Sequence, residues 1–146
     1  MSERAIKTLL VEDDRFSYLF VRQLLQTIPR VAFEIDWAEN CLAAEEKLAT
    51  GEYELCLLDY QLPDGTGPDL LRKLASMRNQ TPVIMLTAQE GYQHDVEAMQ
   101  AGAADFLIKD RIDAAILERS IRYTLKHKKD ELDLRAISAQ LADQIG

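Results

Sequence analysis

The chain has 146 residues, of which 47% are hydrophobic and 29% charged, and its formal net charge at pH 7 is −8. These totals predict one soluble globular domain with room for one extra element, and the negative charge argues against nucleic-acid binding by bulk electrostatics. No apolar run approaches the roughly 20 residues of a membrane-spanning helix, and the first residues do not lead into a signal-peptide core. We therefore expect a cytoplasmic protein without a disulfide framework.

The first half of the chain alternates strand and helix patterns. An apolar run over about 6–11 predicts a strand, and Asp14 is a plausible N-cap for a helix that ends before Pro29. Apolar residues at 33, 35 and 37 alternate with acids, which is typical of a half-exposed edge strand. A helix near 40–50 is predicted to end at Gly51.

The second half repeats the alternation. The predicted strands are 55–59, which is apolar on both faces, then 83–87 and about 105–109. A loop rich in proline and glycine separates Asp59 from the next helix, and another helix is predicted over about 91–101. Five strand–helix units indicate an α/β fold with a doubly wound, five-stranded parallel sheet and helices on both faces.

The last segment has a different character. Apolar residues recur at helical spacing from Asp113 with no proline or glycine before Gly146, which predicts an extended C-terminal helix of about 45 Å. Its heptad pattern is imperfect, so coiled-coil pairing and docking elsewhere are both open. We divide the chain into a domain at 1–125 and a helical extension at 126–146, a candidate connector to an output domain.

Four apolar runs end on residues suited to phosphoryl chemistry. The runs lead into Glu12 and Asp13, Asp59, Thr87, and Lys109. Because parallel strands place their carboxyl ends along one edge, these side chains should converge on one cleft. Each residue alone has an ordinary explanation as a cap, turn or solvated side chain, and only their joint occurrence supports a site.

The expected chemistry follows from the residue types. The Asp59 carboxylate can accept a phosphoryl group as an aspartyl phosphate. Glu12, Asp13 and Asp59 form an oxygen-rich set suited to Mg²⁺. The Lys109 ammonium and the Thr87 hydroxyl can each bind a phosphoryl oxygen.

The chain resembles the receiver domains of two-component response regulators from Ile6 to about Leu125. Four segments carry the resemblance: Leu-Leu-Val-Glu-Asp-Asp at 9–14, Leu-Leu-Asp-Tyr-Gln-Leu-Pro-Asp-Gly-Thr-Gly at 57–67, Ile-Met-Leu-Thr-Ala at 84–88 and Ala-Gly-Ala-Ala-Asp-Phe-Leu-Ile-Lys at 101–109. The resemblance implies the flavodoxin-like strand order 2-1-3-4-5. It also implies a signalling switch rather than a turnover enzyme.

The resemblance assigns roles to individual residues. Asp59 would accept phosphate from a histidine kinase or phosphotransfer protein. Asp13, Asp59 and the backbone carbonyl of Gln61 would hold Mg²⁺, with Glu12 acting through water. Thr87 and Phe106 would form the switch pair. The readout face would be 91–125, and a homodimer could form through this face or through the C-terminal helix.

One position departs from the family pattern. Receiver domains usually have proline after the lysine, often in a cis bond, whereas Asp110 follows Lys109 here. A cis bond before a residue other than proline costs about 3–4 kcal/mol. We therefore predict a trans Lys109–Asp110 bond and a reshaped 109–112 loop.

Two other functions remain open from the sequence. An aspartate-nucleophile phosphohydrolase would usually carry a second acid two residues after the nucleophile, where this chain has Gln61. A receiver-like scaffold that works without phosphorylation would be expected to have lost an acid or the lysine, and this chain retains them.

Overall fold

The computed structural model describes residues 4–88 and 92–145, which contain five principal strands and five α-helices. The strands are β1 (Ala5–Val11), β2 (Ala32–Ala38), β3 (Leu55–Asp59), β4 (Val83–Thr87) and β5 (Asp105–Ile108). The helices are α1 (Arg15–Thr27), α2 (Cys41–Leu48), α3 (Gly67–Ser76), α4 (Tyr92–Ala101) and α5 (Ala114–Ile145).

The five strands form one parallel sheet in the order β2-β1-β3-β4-β5. This arrangement confirms the predicted fold class and strand order. The central strand β3 is buried along its whole length, in agreement with its apolar residues on both faces. The sheet therefore provides a rigid base for the residues at the strand ends.

Two hydrophobic clusters pack on opposite faces of the sheet. One includes Leu9, Cys56 and Met85 with the inner residues of α2 and α3. The other includes Leu10, Leu57 and Ile84 with the inner residues of α1 and α5. The alternation of neighbouring strand residues between the two faces accounts for both clusters. Cys56 lies within the first cluster as a buried free thiol.

Helix starts are fixed by polar caps. The Asp14 carboxylate accepts a hydrogen bond from the Ser17 amide at 3.0 Å, as predicted for the start of α1. Thr66 caps α3 in the same way through the Asp69 amide. These caps set α1 and α3 directly after the loops that carry the candidate site residues.

The helix α5 extends well past the sheet. Its 32 residues correspond to about 48 Å, close to the predicted length. Leu117 and Ile121 are buried against the domain, whereas Leu134, Ile137 and Leu141 are 67%, 53% and 53% exposed. The apolar residues in the first part of α5 are therefore packed against the domain, and those in its last part are exposed to solvent. No helix in the described ranges is both long and apolar enough to span a bilayer.

The structure refines several sequence predictions. Lys109 lies outside β5 and begins a 3-10 turn, Lys109–Arg111, and the loop after β3 contains a short hairpin of Gln61–Leu62 with Gly65–Thr66. The described residues contain no cis peptide bond, which confirms the trans Lys109–Asp110 bond. The prediction for residue 91 lies outside the described residues.

Candidate functional site

The sheet register brings the predicted site residues to one edge. Val11 at the end of β1 is paired with Leu58 of β3, so the next residues, Glu12 and Asp59, lie side by side at the same level of the sheet. Asp59 is paired with Leu86 of β4, and Thr87 with Ile108 of β5. The ends of β4 and β5 therefore lie on the same edge of the sheet as Glu12 and Asp59. The cleft predicted from four separate apolar runs is therefore formed.

Three carboxylates lie together in this cleft. One oxygen from each of Glu12, Asp13 and Asp59 lies within 4.8 Å of the others. Glu12 and Asp59 are buried, at 1% and 7% exposure, whereas Asp13 is exposed. The cleft thus combines two desolvated acids with one acid that opens to solvent.

Lys109 is the cation of the cleft. Its ammonium Nζ lies 3.2 Å from Asp59 Oδ1 and also forms an ion pair and hydrogen bond with Glu12 Oε2. Its side chain is only 11% exposed, so both pairs form in a largely desolvated setting. Because one lysine faces three acids, the cluster as a whole keeps excess negative charge.

Burial and the neighbouring charges change the ionisation of these groups. Burial raises the pKa of Glu12 to about 7, although the Lys109 ammonium acts against the shift. Burial likewise raises the pKa of Asp59, again against the effect of Lys109. Burial acts to lower the pKa of Lys109, but Glu12 and Asp59 outweigh it, so the pKa of this ammonium is raised.

The backbone around Asp59 is held on both sides. The Tyr60 amide donates to the Leu86 carbonyl at 2.8 Å, and the Gly67 amide donates to the Tyr60 carbonyl at 2.7 Å. A Cβ on Gly67 would lie 2.9 Å from the Asp59 carbonyl oxygen and 2.5 Å from Met85 Sδ. Only glycine therefore fits here without displacing the strand that carries Asp59.

The remaining predicted residues lie on β4, on β5 and in the loop after β3. Thr87 is buried at the end of β4, and Phe106 is half-buried on β5 against one of the hydrophobic clusters. Gln61 is exposed in the hairpin, two residues after Asp59. Its carbonyl as a metal ligand, and the movement of Thr87 and Phe106, stay predictions.

Two aromatic contacts beside the site were missed from the sequence. Trp37 Nε1 donates to the Glu12 carbonyl at 2.6 Å, and the Trp37 ring stacks on Tyr18. On the other side the Tyr60 ring stacks on His94, with centroids 4.1 Å apart. His94 is half-buried, and its Nδ1 atom is buried.

The signal for the first contact was present in the sequence. Trp37 lies at the end of the alternating strand next to β1, so the register places it beside Glu12. Tyr60 could also have been placed near the cleft because it follows Asp59. The stack with His94 depends on how α4 packs, and no pattern in the sequence specifies it.

The donor set of the cleft fits a hard divalent cation. Carboxylate oxygens with solvent access on one side are the ligands that Mg²⁺ takes while it keeps several waters. Asp13 and Asp59 could bind such an ion directly. Glu12 is the most buried acid and is already paired with Lys109, which fits a role through water.

Comparison with known proteins identifies relatives across most of the chain. Residues 8–121 match the family model of the response regulator receiver domain. Response regulator protein PilR of Pseudomonas aeruginosa is 34% identical over 136 residues, covering 92% of this chain and 29% of PilR. Transcriptional regulatory protein CusR of Escherichia coli is 34% identical over 114 residues, covering 78% of this chain and 49% of CusR. The chain therefore spans half or less of these relatives' length.

Solved structures agree with this assignment. A response regulator receiver domain protein (CheY-like) from Methanospirillum hungatei JF-1 has a TM-score of 0.76 and 25% identity, covering 88% of this chain and 99% of its own. The signal receiver domain of an HD domain-containing protein from Pseudomonas fluorescens Pf-5 has a TM-score of 0.75 and 26% identity, covering 87% of this chain and 99% of its own. Both similarities cover more than four fifths of this chain.

Proposed function

This chain belongs to the response regulator receiver domain family, and on that basis we propose that it is a phosphorylation-controlled switch in which Asp59 accepts the phosphoryl group. One observation carries the proposal. The Asp59 carboxylate lies 3.2 Å from the Lys109 ammonium and within 4.8 Å of the oxygens of two further acids. A nucleophile, a cation and a metal-type donor set thus occupy one cleft.

The proposed reaction is a transfer of one phosphoryl group. A carboxylate oxygen of Asp59 forms a bond to phosphorus while the bond between phosphorus and the donor group breaks. The donor is a phosphohistidine of a kinase or phosphotransfer protein, or a small acyl phosphate. The leaving group takes the bonding electron pair, and Asp59 becomes a mixed anhydride of a carboxylic and a phosphoric acid.

The chain's own residues support this transfer in different ways. Lys109 already contacts Asp59 and stabilises charge on the transferred oxygens. The fixed backbone of Tyr60 and Gly67 keeps the Asp59 carboxylate at the strand end. When bound by Asp13, Asp59 and the Gln61 carbonyl, Mg²⁺ would supply charge neutralisation for the phosphoryl oxygens.

The switch would transmit this event to the 91–125 face. In this proposal the Thr87 hydroxyl binds a phosphoryl oxygen, and the Phe106 ring turns inward behind it. Phe106 is half-buried and packs against a hydrophobic cluster, so an inward turn would bury more of its ring. The helix α4 and the first half of α5 then present a changed surface to a partner.

The partners follow from the class of reaction. A histidine kinase or phosphotransfer protein would supply the phosphoryl group. The chain spans half or less of the length of PilR and CusR, so the regulated activity would reside in an output domain joined to 126–146 or in a separate partner. The exposed stripe of Leu134, Ile137 and Leu141 would pair with a second copy as a short coiled coil.

The same proposal includes a cytoplasmic location, no direct nucleic-acid binding by this segment and no steady enzymatic turnover. The acyl phosphate would persist on the chain as a signal and be lost by slow self-catalysed hydrolysis. An aspartate-nucleophile phosphohydrolase would differ because it would release phosphate continuously without retained label.

Phosphoryl uptake with and without Mg²⁺ tests the proposal. We expect intact-mass analysis to show gain of one phosphoryl group from acetyl phosphate in millimolar Mg²⁺ and almost none in chelator. Equal uptake in both conditions would show that the phosphoryl transfer does not require the metal. Continuous release of phosphate with no labelled protein would favour the phosphohydrolase.

Mg²⁺ should also stabilise the folded protein. At ten times its dissociation constant the ion should stabilise by about 1.4 kcal/mol and raise the Tm by roughly 4 °C, because it relieves repulsion among the clustered acids. Differential scanning calorimetry checks this expectation. Asp13→Asn is the matched control, since its exposed carboxylate can be removed without disturbing the core. A wild-type Tm that does not respond to Mg²⁺ would contradict the metal site.

A further inference from the structure

The single tryptophan of the chain contacts the acid loop directly. Trp37 lies near the end of β2, and its indole Nε1 donates to the Glu12 backbone carbonyl at 2.6 Å. The Glu12 amide donates in turn to the Ala38 carbonyl at 2.9 Å. Two consecutive residues of the edge strand, Trp37 and Ala38, therefore hold the backbone carbonyl and the backbone amide of Glu12, the residue before Asp13.

The indole ring is itself fixed. Tyr18 of α1 stacks on it with ring centroids 4.1 Å apart and planes 9° from parallel. The start of α1 is held by the Asp14 cap on the Ser17 amide, and the Asp14 amide donates to Glu12 Oε1 at 3.1 Å. The loop between β1 and α1 is thus anchored at Glu12 by the indole and at Asp14 by the helix cap.

Asp13 lies between these two anchors and lacks an anchor of its own. Its side chain is exposed, and no hydrogen bond or ion pair involves it within residues 4–88 and 92–145. The direction of its carboxylate therefore depends on the backbone of its two neighbours. A group that fixes the Glu12 carbonyl also fixes the peptide plane between Glu12 and Asp13, and with it the backbone position from which the Asp13 carboxylate reaches toward Asp59.

We infer that Trp37 is a positioning residue of the cation site, whose indole N–H fixes the Glu12–Asp13 backbone so that the Asp13 carboxylate is preorganised to bind a divalent cation with Asp59. This inference rests on the proposed metal-dependent function. The competing explanation is that Trp37 only covers the edge of the sheet. That explanation requires the indole ring and its stacking on Tyr18, but it does not require the indole N–H as a hydrogen-bond donor.

The test separates the N–H from the ring. Trp37→Phe keeps an aromatic ring against Tyr18 and removes the donor, whereas Tyr18→Phe keeps the stack and the indole bond. We expect isothermal titration of the apo protein with MgCl₂ to show about fivefold weaker binding for Trp37→Phe, the effect of one lost hydrogen bond. Tyr18→Phe should bind Mg²⁺ as the wild type does.

The results distinguish this inference from the proposed function. Wild-type binding with unchanged binding in Trp37→Phe would overturn the role of Trp37 and leave the metal site intact. No binding in the wild type would overturn both. Equal losses in both variants would overturn the role of the N–H, because Tyr18→Phe keeps the indole donor.

A measurement on the wild type covers the case in which Trp37→Phe does not fold. Because Trp37 is the only tryptophan, its fluorescence reports on the Glu12 carbonyl without any substitution near the ring. We expect its emission to change with Mg²⁺ over the same concentration range as the calorimetric binding, and not to change in Asp13→Asn. An emission spectrum insensitive to bound Mg²⁺ would overturn the inference.

Discussion

Replacing Lys109 by methionine is expected to abolish detectable phosphoryl uptake and to destabilise the fold by about 3 kcal/mol at pH 8. The Lys109 ammonium is the only cation that contacts Glu12 and Asp59 among the described residues. Its loss leaves the buried Glu12 carboxylate without a cationic partner and removes the positive charge that faces the transferred phosphoryl group in the proposed reaction.

The pH dependence of Lys109→Met provides a second check on the same variant. Without the ammonium, only the Asp14 amide still acts against burial, so the pKa of Glu12 rises further; at pH 6 this group therefore binds a proton and the loss of stability is smaller. Urea unfolding at the two pH values measures the difference. The double variant Lys109→Met/Glu12→Gln should recover most of the lost stability at pH 8.

The matched control is Lys126→Met on α5. Lys126 is exposed, and within the described part of the chain it pairs only with Asp130 one turn away, so its replacement should cost well under about 1 kcal/mol at either pH. Equal destabilisation by the two substitutions would mean that the buried ion pair has no special role. Full phosphoryl uptake by Lys109→Met would contradict the role of this residue in the transfer.

The apo wild-type protein should lose stability as the pH rises from about 5 to about 7.5. The pKa of Glu12 is about 7 in the folded protein and about 4.5 when unfolded, so between these values the folded state binds more protons. Stability therefore falls with rising pH through this window, by up to about 3 kcal/mol if the whole shift is realised. The raised pKa of Asp59 acts in the same direction.

Glu12→Gln isolates this contribution. The variant keeps a side chain of similar size and leaves the Lys109–Asp59 pair in place, so its stability should depend much less on pH. The raised pKa of Lys109 contributes no slope here, because stability from a raised lysine pKa is lost only above its unfolded value of about 10.5. Parallel pH profiles for wild type and variant would show that Glu12 ionises normally.

The sequence was sufficient for the architecture and for the members of the cleft. Strand β3 is apolar on both faces and β2 alternates, and these patterns distinguish a central strand from an edge strand before any contact is known. Because parallel strands end on one side, the position of Asp59, Thr87 and Lys109 at strand ends is enough to predict that they meet.

The sequence was insufficient where side chains from distant elements make contact. Phe16 lies three and four residues before Leu19 and Phe20, a helical spacing of apolar residues, yet it is 81% exposed, because the buried stripe of α1 is centred on Val21 and Leu25. The need for glycine at position 67 arises from the approach of the Asp59 carbonyl, which only the folded chain reveals. The stack of Tyr60 on His94 likewise depends on how α4 packs against the sheet.

The most direct test of the central claim is intact-mass analysis of wild type, Asp59→Asn and Asp110→Asn after incubation with acetyl phosphate and Mg²⁺. Asp110 is an exposed acid next to Lys109, so its variant controls for a general loss of charge near the cleft. We expect one phosphoryl group on wild type and Asp110→Asn and none on Asp59→Asn. Equal labelling of Asp59→Asn, or no label on folded wild-type protein, would contradict Asp59 as the phosphoryl acceptor.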